Sequence, residues 1–373
     1  MSAPVYVLAA GGTGGHMFPA EALAGELRRR GARVVLFTDE RGKRFAKGFA
    51  VEEIVVTDSA TLSGGAVARL RAGVKLVNGV AQAARLLARV RPKAVVGFGG
   101  YPSAPAMSAA LVLRIPTVIH DSNALLGRTN RLLEPLVTRT ALGLPSPEGR
   151  GPEAKAVLVG NPVREGVRAR AGAPYEAPRP GGELRLLVFG GSQGARIFGE
   201  VVPEAVGLLA PELRARLRLV QQVREEDMER VRGIYERLAV GAELAPFFDD
   251  MPDRLAAAHL VLARAGAGSV TELMAIGRPA ILVPFAGAMD DHQTVNARVL
   301  ADAGAGFLLA EAAFTPGELA GRLADLAAAP ERLAGAAEAA RGLGQTDATE
   351  RLANLVEEAS RASGSATQAR RAS

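Results

Sequence analysis

The stretch that decides the fold is VYVLAAGGTGGHMFPAEALAGEL, residues 5–27. It opens with a short apolar run typical of a buried strand, and it ends with apolar residues at helical spacing, at Ala20, Leu23, Ala24 and Leu27. Four glycines join the two. Glycines let the backbone approach a ligand, and the first N–H groups of the helix point at it. The junction therefore favours an anion, with phosphate as the usual one.

The same order of strand, glycine turn and helix returns in ELRLLVFGGSQGARIFGEVVPEAVGLL, residues 183–209. Further strands alternate with alanine-rich helical runs, at KAVVGFGG (93–100), IPTVIHDSN (115–123), HLVLARAG (259–266) and RPAILVPF (278–285). This alternation predicts an α/β protein of two Rossmann-like domains, with parallel sheets covered by helices on both faces. Ligands of such sheets bind at the carboxyl ends of the strands, here in a deep cleft between the halves.

The domain boundaries follow from composition. GNPVREGV, from Gly160, and the proline- and glycine-rich stretch up to Gly182 predict a linker. We expect an N-terminal domain over 1–162 and a C-terminal domain over 163–343. A helix over 344–361 is expected to return to the N-terminal domain, followed by a disordered tail over 362–373.

Composition excludes several classes of protein. The 373 residues include no cysteine, so neither disulfides nor a thiolate metal site or thiol nucleophile is possible. No uninterrupted apolar stretch approaches the length of a membrane span, and the N-terminus has no basic leader. We therefore expect a globular protein without a transmembrane helix or an export signal.

The positive charge is concentrated in the first half. Residues 1–162 hold 21 Lys and Arg against 11 Asp and Glu, whereas residues 163–373 hold 24 against 28. An anionic partner is expected for the first half. Nucleic acid is disfavoured, because aromatic content is only 4% and no basic cluster alternates with stacking residues. An anionic membrane surface is the other candidate.

A dinucleotide enzyme is a weaker alternative. The pattern G-x-G-x-x-G fails, because Met17 stands where the third glycine is required. Asp39, at the end of RVVLFTD, could still imitate the ribose-binding acid of nicotinamide enzymes, so an NAD-binding oxidoreductase remains open. No Walker motif occurs.

Polar residues follow the other strands. His120-Asp121-Ser122-Asn123 ends one strand, and the glycine turn 190–194 ends another. Residues 263–272 and 290–294 follow two more strands of the second half. Any one of these is explained by a capped turn, but all of them together predict a binding site. His259, within AAAHLV, is expected to be structural.

These motifs together resemble a known family. The ordered set is GGTGGHMFPA, GFGGYPSAP, HDSNALLGRTN, VGNPVR, GGSQGAR, FFDDM, RAGAGSVTEL and DDHQTVNA, covering residues 5 to about 360. It is similar to the inverting GT-B glycosyltransferases that complete the lipid-linked disaccharide of bacterial peptidoglycan. The resemblance implies transfer of N-acetylglucosamine from UDP-N-acetylglucosamine to the 4-hydroxyl of undecaprenyl-diphospho-muramoyl pentapeptide. It implies neither metal nor cofactor, and Asp249-Asp250 and Asp290-Asp291 lack the D-x-D arrangement of metal-dependent enzymes.

The resemblance also assigns the donor site. It implies contacts to the diphosphate, the uracil, the ribose and the sugar from both halves, at Thr13, Gly14, Gly15, Asn123, Arg164, Ser192, Phe248, Ala267, Gly268, Glu272, His292 and Gln293. Within this set, Phe248 lies along the uracil and Glu272 on the ribose hydroxyls. The family usually has Glu-Gln where this chain has Asp121-Ser122, and a Ser-Gly-Ala core in place of residues 265–268, so loop packing near the donor is expected to differ.

The acceptor diphosphate is expected on the first loop, at Gly12, Thr13, Gly14, Gly15 and His16. His16 is the best candidate for the general base, because its unperturbed pKa is about 6.5. A role in packing or positioning is equally open for His16, and Asp121 or Glu272 remain alternative bases.

Attachment to the membrane is expected through residues 66–93. In a helix, Arg71, Lys75, Arg85 and Arg89 share one polar stripe. We expect this stripe to bind the anionic cytoplasmic face of the membrane peripherally, with Leu76 and Val80 dipping into the interface. An ordinary amphipathic helix with a solvated basic face is the alternative. Protein partners in wall synthesis are not specified by the sequence.

Overall fold

The computed structural model describes residues 3–12, 14–46, 48–56, 66–146, 155–191 and 194–371, with the backbone alone at 45, 66–75 and 362–371. The chain forms two compact units. The first unit holds the residues up to Arg164 and those from Thr346 onward, and the second unit holds Glu165–Gln345. The sequence places both boundaries two residues earlier. Arg164 stays with the first unit, where the nearby Asn161 donates from Nδ2 to the Ser122 carbonyl at 2.8 Å.

The first unit contains a seven-stranded parallel sheet in the spatial order β3-β2-β1-β4-β5-β6-β7. Its strands are β1 Val5–Ala9, β2 Arg33–Thr38, β3 Glu53–Val56, β4 Ala94–Gly97, β5 Thr117–Asp121, β6 Arg139–Leu142 and β7 Ala156–Leu158. Its helices are α1 Gly14–Arg29, α2 Glu40–Phe45, α3 Ala66–Val90, α4 Ala104–Val112, α5 Arg128–Leu133 and, from the end of the chain, α15 Ala348–Arg371.

The second unit contains a six-stranded parallel sheet in the order β10-β9-β8-β11-β12-β13. Its strands are β8 Leu184–Phe189, β9 Leu217–Gln222, β10 Ala242–Ala245, β11 Leu260–Ala263, β12 Ala280–Leu282 and β13 Gly306–Leu308. Its helices are α6 Glu165–Ala169, α7 Arg196–Leu208, α8 Pro211–Ala215, α9 Met228–Arg237, α10 Met251–Ala257, α11 Ala267–Ile276, α12 His292–Asp302, α13 Pro316–Ala328 and α14 Pro330–Leu343.

Both sheets are covered on two faces, which confirms the predicted fold class. Along β1, Val7 and Ala9 pack with α3 and α4, whereas Tyr6 and Leu8 face the opposite way and pack with α1 and α15. Alternating side chains of one strand thus enter two cores. In each sheet the strand order reverses beside the first strand, at β1 and β4 and at β8 and β11. The loops after these strands are the expected ligand sites.

Helix α15 belongs to the first unit. Leu352 and Val356 are fully buried in the core with residues of α1, and Arg30, directly after α1, donates to Asn354 at 2.7 Å and pairs with Glu357 at 3.3 Å. The helix continues to Arg371, where the sequence predicts a disordered tail. A helix nucleated by packed residues extends at little cost through a segment without proline. No helix among the described residues has the length and apolar character needed to cross a membrane.

Candidate active site

His16 lies in the first turn of α1, against the loop that follows β4. Its Nδ1 is 3.2 Å from the Gly11 carbonyl oxygen. Its ring also lies close to Gly99 and Gly100, which have φ of +84° and +70°. A Cβ at Gly99 would stand 3.5 Å from Nε2 of His16, and a Cβ at Gly100 would stand 3.3 Å from the ring. Glycines after β4 therefore provide both the left-handed backbone and the space for the imidazole.

The surroundings of His16 favour its neutral form. Burial lowers the pKa of His16 below its ordinary value, while the charge of Asp121 and the hydrogen bond with Gly11 raise it in part. A neutral imidazole at neutral pH has one ring nitrogen able to accept a proton. The site therefore meets the chemical requirement for a general base.

Asp39 has a different role from a ribose-binding acid. It is buried, and its Oδ1 accepts hydrogen bonds from the Gly42 N–H at 2.8 Å, which caps α2, and from the Gly12 N–H at 3.2 Å. Tyr101 donates its hydroxyl to Oδ2 at 3.4 Å. The carboxylate is thus turned into the protein, so the interpretation of Asp39 as the acid of an NAD site is wrong.

Asp121 organises the loop after β5. Its Oδ1 accepts from the Asn123 N–H at 3.1 Å, and its Oδ2 accepts from the Gly127 N–H at 2.7 Å and from Nδ2 of Asn130 at 3.0 Å. The side chain is 5% exposed. Because both oxygens already accept bonds from their own loop, Asp121 is a weaker candidate for the base than His16.

Ser122 connects this loop to α1. Pro19 lies inside α1 and has no N–H, so the Gly15 carbonyl, four residues earlier, has no helical donor. The Ser122 hydroxyl donates to that carbonyl at 3.3 Å. Ser122 therefore holds the start of α1 against the loop after β5.

His120 is the second histidine of the first unit, and it is structural. It is fully buried, and burial lowers its pKa to about 4. Its Nε2 lies 3.3 Å from the Gly160 carbonyl, and its ring is tilted against Phe98 with 5.6 Å between the centroids. His120 is therefore neutral at physiological pH and connects β5 to the segment before Arg164.

Arg164 is exposed, and its guanidinium carbon lies 5.8 Å from the centroid of the Phe18 ring. Phe18 is itself 42% exposed and belongs to α1. The structure thus places Arg164 at the same end of α1 as Gly14 and Gly15, and Asn123 follows β5 in the neighbouring loop. Thr13 lies outside the described residues.

In the second unit, a buried glutamine holds the glycine turn after β8. Gln222 accepts from the Gly190 N–H at 3.0 Å and donates to the Gly191 carbonyl at 3.0 Å. Gly191 has φ of +86°, and a Cβ on Gly190 would stand 2.3 Å from the Ala195 nitrogen. The turn is therefore open to glycine alone at these two positions. Ser192 lies outside the described residues.

The segments after β11 and β12 contain the remaining residues that the sequence predicts for the donor site. Ala267 and the exposed Gly268 start α11, Glu272 follows on the same helix, half-buried, and Asn296 of α12 donates to the Ala265 carbonyl at 3.1 Å. The side chain of Gln293 accepts from the Phe285 N–H at 3.0 Å.

The turn before α12 is strained. Asp290 and Asp291 both adopt left-handed φ, of +51° and +53°, and Nδ1 of His292 lies 2.8 Å from the Met289 carbonyl. Non-glycine residues in this region are uncommon and cluster at ligand sites. The strained turn supports a binding role for the residues that start α12.

Phe248 is 6% exposed, and the guanidinium carbon of Arg254 lies 4.2 Å from its ring centroid, while its contact to uracil stays a prediction. Its neighbour Phe247 is 56% exposed. The guanidinium of Arg254 therefore covers the face of Phe248, and Phe247 presents the exposed ring of the two. Two adjacent phenylalanines in FFDDM did not reveal which one is buried.

Arg264 is a residue that the motifs contained but the sequence did not single out. It is buried at the end of β11, donates to the Val283 and Pro284 carbonyls at 3.1 Å, and pairs with Glu311. It thus fixes the loop after β12 relative to β11. The pattern in the sequence that indicates this role is an arginine directly after a buried strand.

Helix α3 contains the residues of the predicted basic stripe, of which two have described side chains. Arg85 and Arg89 are exposed, and Arg89 pairs with Glu53 at 3.4 Å. The side chains of Arg71 and Lys75 lie outside the described atoms. Val80 is partly buried against the core with α4, whereas Val77 is 67% exposed. Because helical residues one turn apart share a face, Val77 lies on the face next to the basic stripe of Arg85 and Arg89.

The two doubly wound units and their glycine-rich strand ends define the class of two-domain GT-B glycosyltransferases. The protein-family model of the "Glycosyltransferase family 28 N-terminal domain" matches residues 6–142. The family model of the "Glycosyltransferase family 28 C-terminal domain" matches residues 185–352. The chain belongs to glycosyltransferase family 28. Within the described residues, no three His, Asp or Glu side chains form a group that could hold a metal ion.

Named relatives are similar along nearly the whole chain. One from Rhodopseudomonas palustris (strain BisA53) is 54% identical, covering 95% of this chain and 96% of its own, and one from Rhodospirillum rubrum is 52% identical, covering 95% and 92%. Both are called "UDP-N-acetylglucosamine--N-acetylmuramyl-(pentapeptide) pyrophosphoryl-undecaprenol N-acetylglucosamine transferase". The crystal structure of Acinetobacter baumannii MurG superposes with a TM-score of 0.81 at 29% identity, covering 95% of this chain and 99% of that one. The predicted resemblance is confirmed.

Proposed function

We infer that the protein is an N-acetylglucosaminyltransferase of peptidoglycan synthesis. It transfers N-acetylglucosamine from UDP-N-acetylglucosamine to the lipid-linked muramoyl pentapeptide, which yields the lipid-linked disaccharide. The observation that carries this function is identity above 50%, over 95% of the chain, to relatives named for that reaction. Both halves of the family 28 fold are present.

The donor is proposed to bind the second unit. Glu272 on α11 would accept hydrogen bonds from the ribose hydroxyls, and His292 and Gln293 at the start of α12 would contact the sugar. The N-cap residues of helices α7 and α11 are Ala195 and Gly266, which supply no side-chain cap, so the first N–H groups of each helix can bind an anion. These two helix starts support diphosphate binding after β8 and β11.

The acceptor is proposed to bind the first unit, on residues 12–16. The 4-hydroxyl of the muramoyl sugar attacks the anomeric carbon of the donor as the bond to UDP breaks. The hydroxyl proton passes to Nε2 of His16, and UDP leaves with the bonding electrons. Arg164 and the helix starts would stabilise the negative charge that develops on the leaving diphosphate.

The reaction is tested by incubating the protein with UDP-N-acetylglucosamine and a lipid-linked muramoyl peptide while UDP release is measured. UDP release that depends on the muramoyl acceptor supports the function. Release without acceptor, or a nicotinamide-dependent absorbance change in its place, would count against it. Binding to duplex or RNA with a steep salt dependence would favour a nucleic-acid role.

Peripheral binding at the cytoplasmic face of the membrane is proposed for the first unit. The lipid tail of the acceptor stays in the bilayer, and the donor is a cytoplasmic nucleotide sugar. The excess of positive charge in residues 1–162 and the exposed Arg85 and Arg89 on α3 support this attachment. Each basic residue near an anionic leaflet contributes about 1 kcal/mol.

Replacing the four basic residues of the stripe by glutamine should therefore reduce binding to anionic vesicles at least about tenfold. Use of membrane-embedded acceptor should fall, while a short-chain soluble acceptor is still glycosylated. Co-sedimentation at low salt measures the binding. A matched control removes four exposed arginines of the second unit, Arg179, Arg232, Arg237 and Arg298. Equal losses in both variants would show that net charge alone, and not this helix, sets the attachment.

A further inference from the structure

One peptide group lies between Asp39 and His16. The Gly12 N–H donates to Oδ1 of Asp39 at 3.2 Å, and the Gly11 carbonyl, on the same peptide bond, lies 3.2 Å from Nδ1 of His16. A carbonyl only accepts hydrogen bonds, so this contact requires the proton on Nδ1. A chain of hydrogen bonds therefore runs from the Asp39 carboxylate to the peptide N–H, and from the carbonyl of the same peptide to the imidazole Nδ1–H.

We propose that Asp39 is a positioning residue for the transfer reaction, acting on His16 through the Gly11–Gly12 peptide. A carboxylate that accepts from a peptide N–H polarises the group, which makes its carbonyl oxygen a stronger acceptor. The strengthened bond favours the Nδ1–H tautomer and directs Nε2 to the proton of the acceptor hydroxyl. It also stabilises the imidazolium formed when that proton arrives. This inference rests on the proposed role of His16 as base.

The packing around the peptide is specific to this arrangement. A Cβ on Gly11 would stand 2.8 Å from Oδ1 of Asp39 and 2.8 Å from Pro102, and Gly12 has φ of +82°. A Cβ on Gly42 would stand 1.9 Å from Oγ1 of Thr38. Glycine is thus needed on both sides of the carboxylate. Three segments meet at Asp39: the loop after β1, the start of α2 and the loop after β4.

The other titratable groups near His16 come from β5. Asp121 raises the pKa of His16 by its charge, and the buried His120 is close enough for His16 to lower its pKa. From the loop after β4, Tyr101 contacts the same carboxylate as Gly12. Asp121 is occupied by its own loop, so Asp39 is the carboxylate whose hydrogen bonds lead to Nδ1.

The test uses Asp39→Asn, which keeps an acceptor oxygen for Gly12 and Gly42 but removes the charge. We expect kcat to fall about tenfold with little change in the donor KM, because a group that orients a catalytic side chain affects the transition state. The acid limb of the pH profile should move to lower pH, because the imidazolium loses a stabilising charge. Glu40→Gln, an exposed neighbour on α2, is the matched control and should leave both unchanged.

Two further measurements separate positioning from folding. In His16→Ala, the added Asp39→Asn substitution should have no further effect on kcat, since the path runs through His16. Histidine labelled with ¹⁵N gives four imidazoles, and His16 should show the Nδ1–H tautomer and a lower pKa in Asp39→Asn. This titration needs no substrate, so it tests the coupling even if His16 is not the base. An unchanged titration, or the same fall in kcat without His16, would overturn the proposal.

Discussion

Replacing His16 by alanine should lower kcat by about a thousandfold and leave the affinity for UDP-N-acetylglucosamine within about threefold of wild type. General-base catalysis contributes about 10² to 10⁴ to turnover, and the group acts on the acceptor hydroxyl only in the transition state. The imidazole contacts the backbone at Gly11 and lies beside Gly99 and Gly100, so its loss removes little that holds the donor. Steady-state kinetics measure kcat, and calorimetric titration with UDP-N-acetylglucosamine measures the affinity.

The pH dependence of the wild-type enzyme tests the same assignment. Burial lowers the pKa of His16 from its ordinary value, so the neutral base predominates at pH 7. The rate should therefore be constant around neutrality and fall as the pH decreases through the lowered pKa, somewhere below about 6.5. The acid limb should vanish in His16→Ala. A loss of less than tenfold in kcat, or an acid limb that survives the substitution, moves the base to another residue.

The sequence predicted the fold because the repeated order of strand, glycine turn and helix is a local signal. The strand over residues 5–9 and the first turn of α1 need only their own apolar pattern and their glycines. Helix α3 likewise follows from its amphipathic spacing. Such features are set by residues close in sequence.

The roles that the sequence missed depend on contacts between distant segments. Asp39 looked like a ribose acid, because the end of β2 is where such an acid stands, yet its carboxylate turns inward to Gly12 and Gly42. Arg264 donates to carbonyls about twenty residues away, those of Val283 and Pro284. The spacing of residues along the chain does not determine in which direction these side chains point or which residues they contact.

Replacing Glu272 by alanine should weaken UDP binding about a hundredfold and leave the protein folded. Hydrogen bonds to a charged group contribute about 1.5 to 3 kcal/mol each, and the carboxylate can accept from both ribose hydroxyls. The residue is half-buried on α11, and alanine has the higher helix propensity, so the helix should remain intact. Isothermal titration with UDP measures the affinity, and denaturant unfolding checks the fold. Glu236→Ala, an exposed glutamate on α9, should change neither.

The ribose contact itself is tested with a second ligand. Wild-type protein should bind 2′-deoxy-UDP more weakly than UDP, because one hydroxyl that Glu272 would accept from is missing. If the carboxylate accepts a hydrogen bond from the 2′-hydroxyl, Glu272→Ala should bind the two nucleotides with nearly equal affinity. The thermodynamic cycle of two proteins and two nucleotides then gives the interaction energy between Glu272 and that hydroxyl. Glu272→Gln, which keeps one acceptor oxygen but no charge, should fall between wild type and alanine. A variant that binds UDP as tightly as wild type would falsify the placement of the ribose on α11. A variant that still prefers UDP by the wild-type factor would place the 2′-hydroxyl on another residue of the second unit.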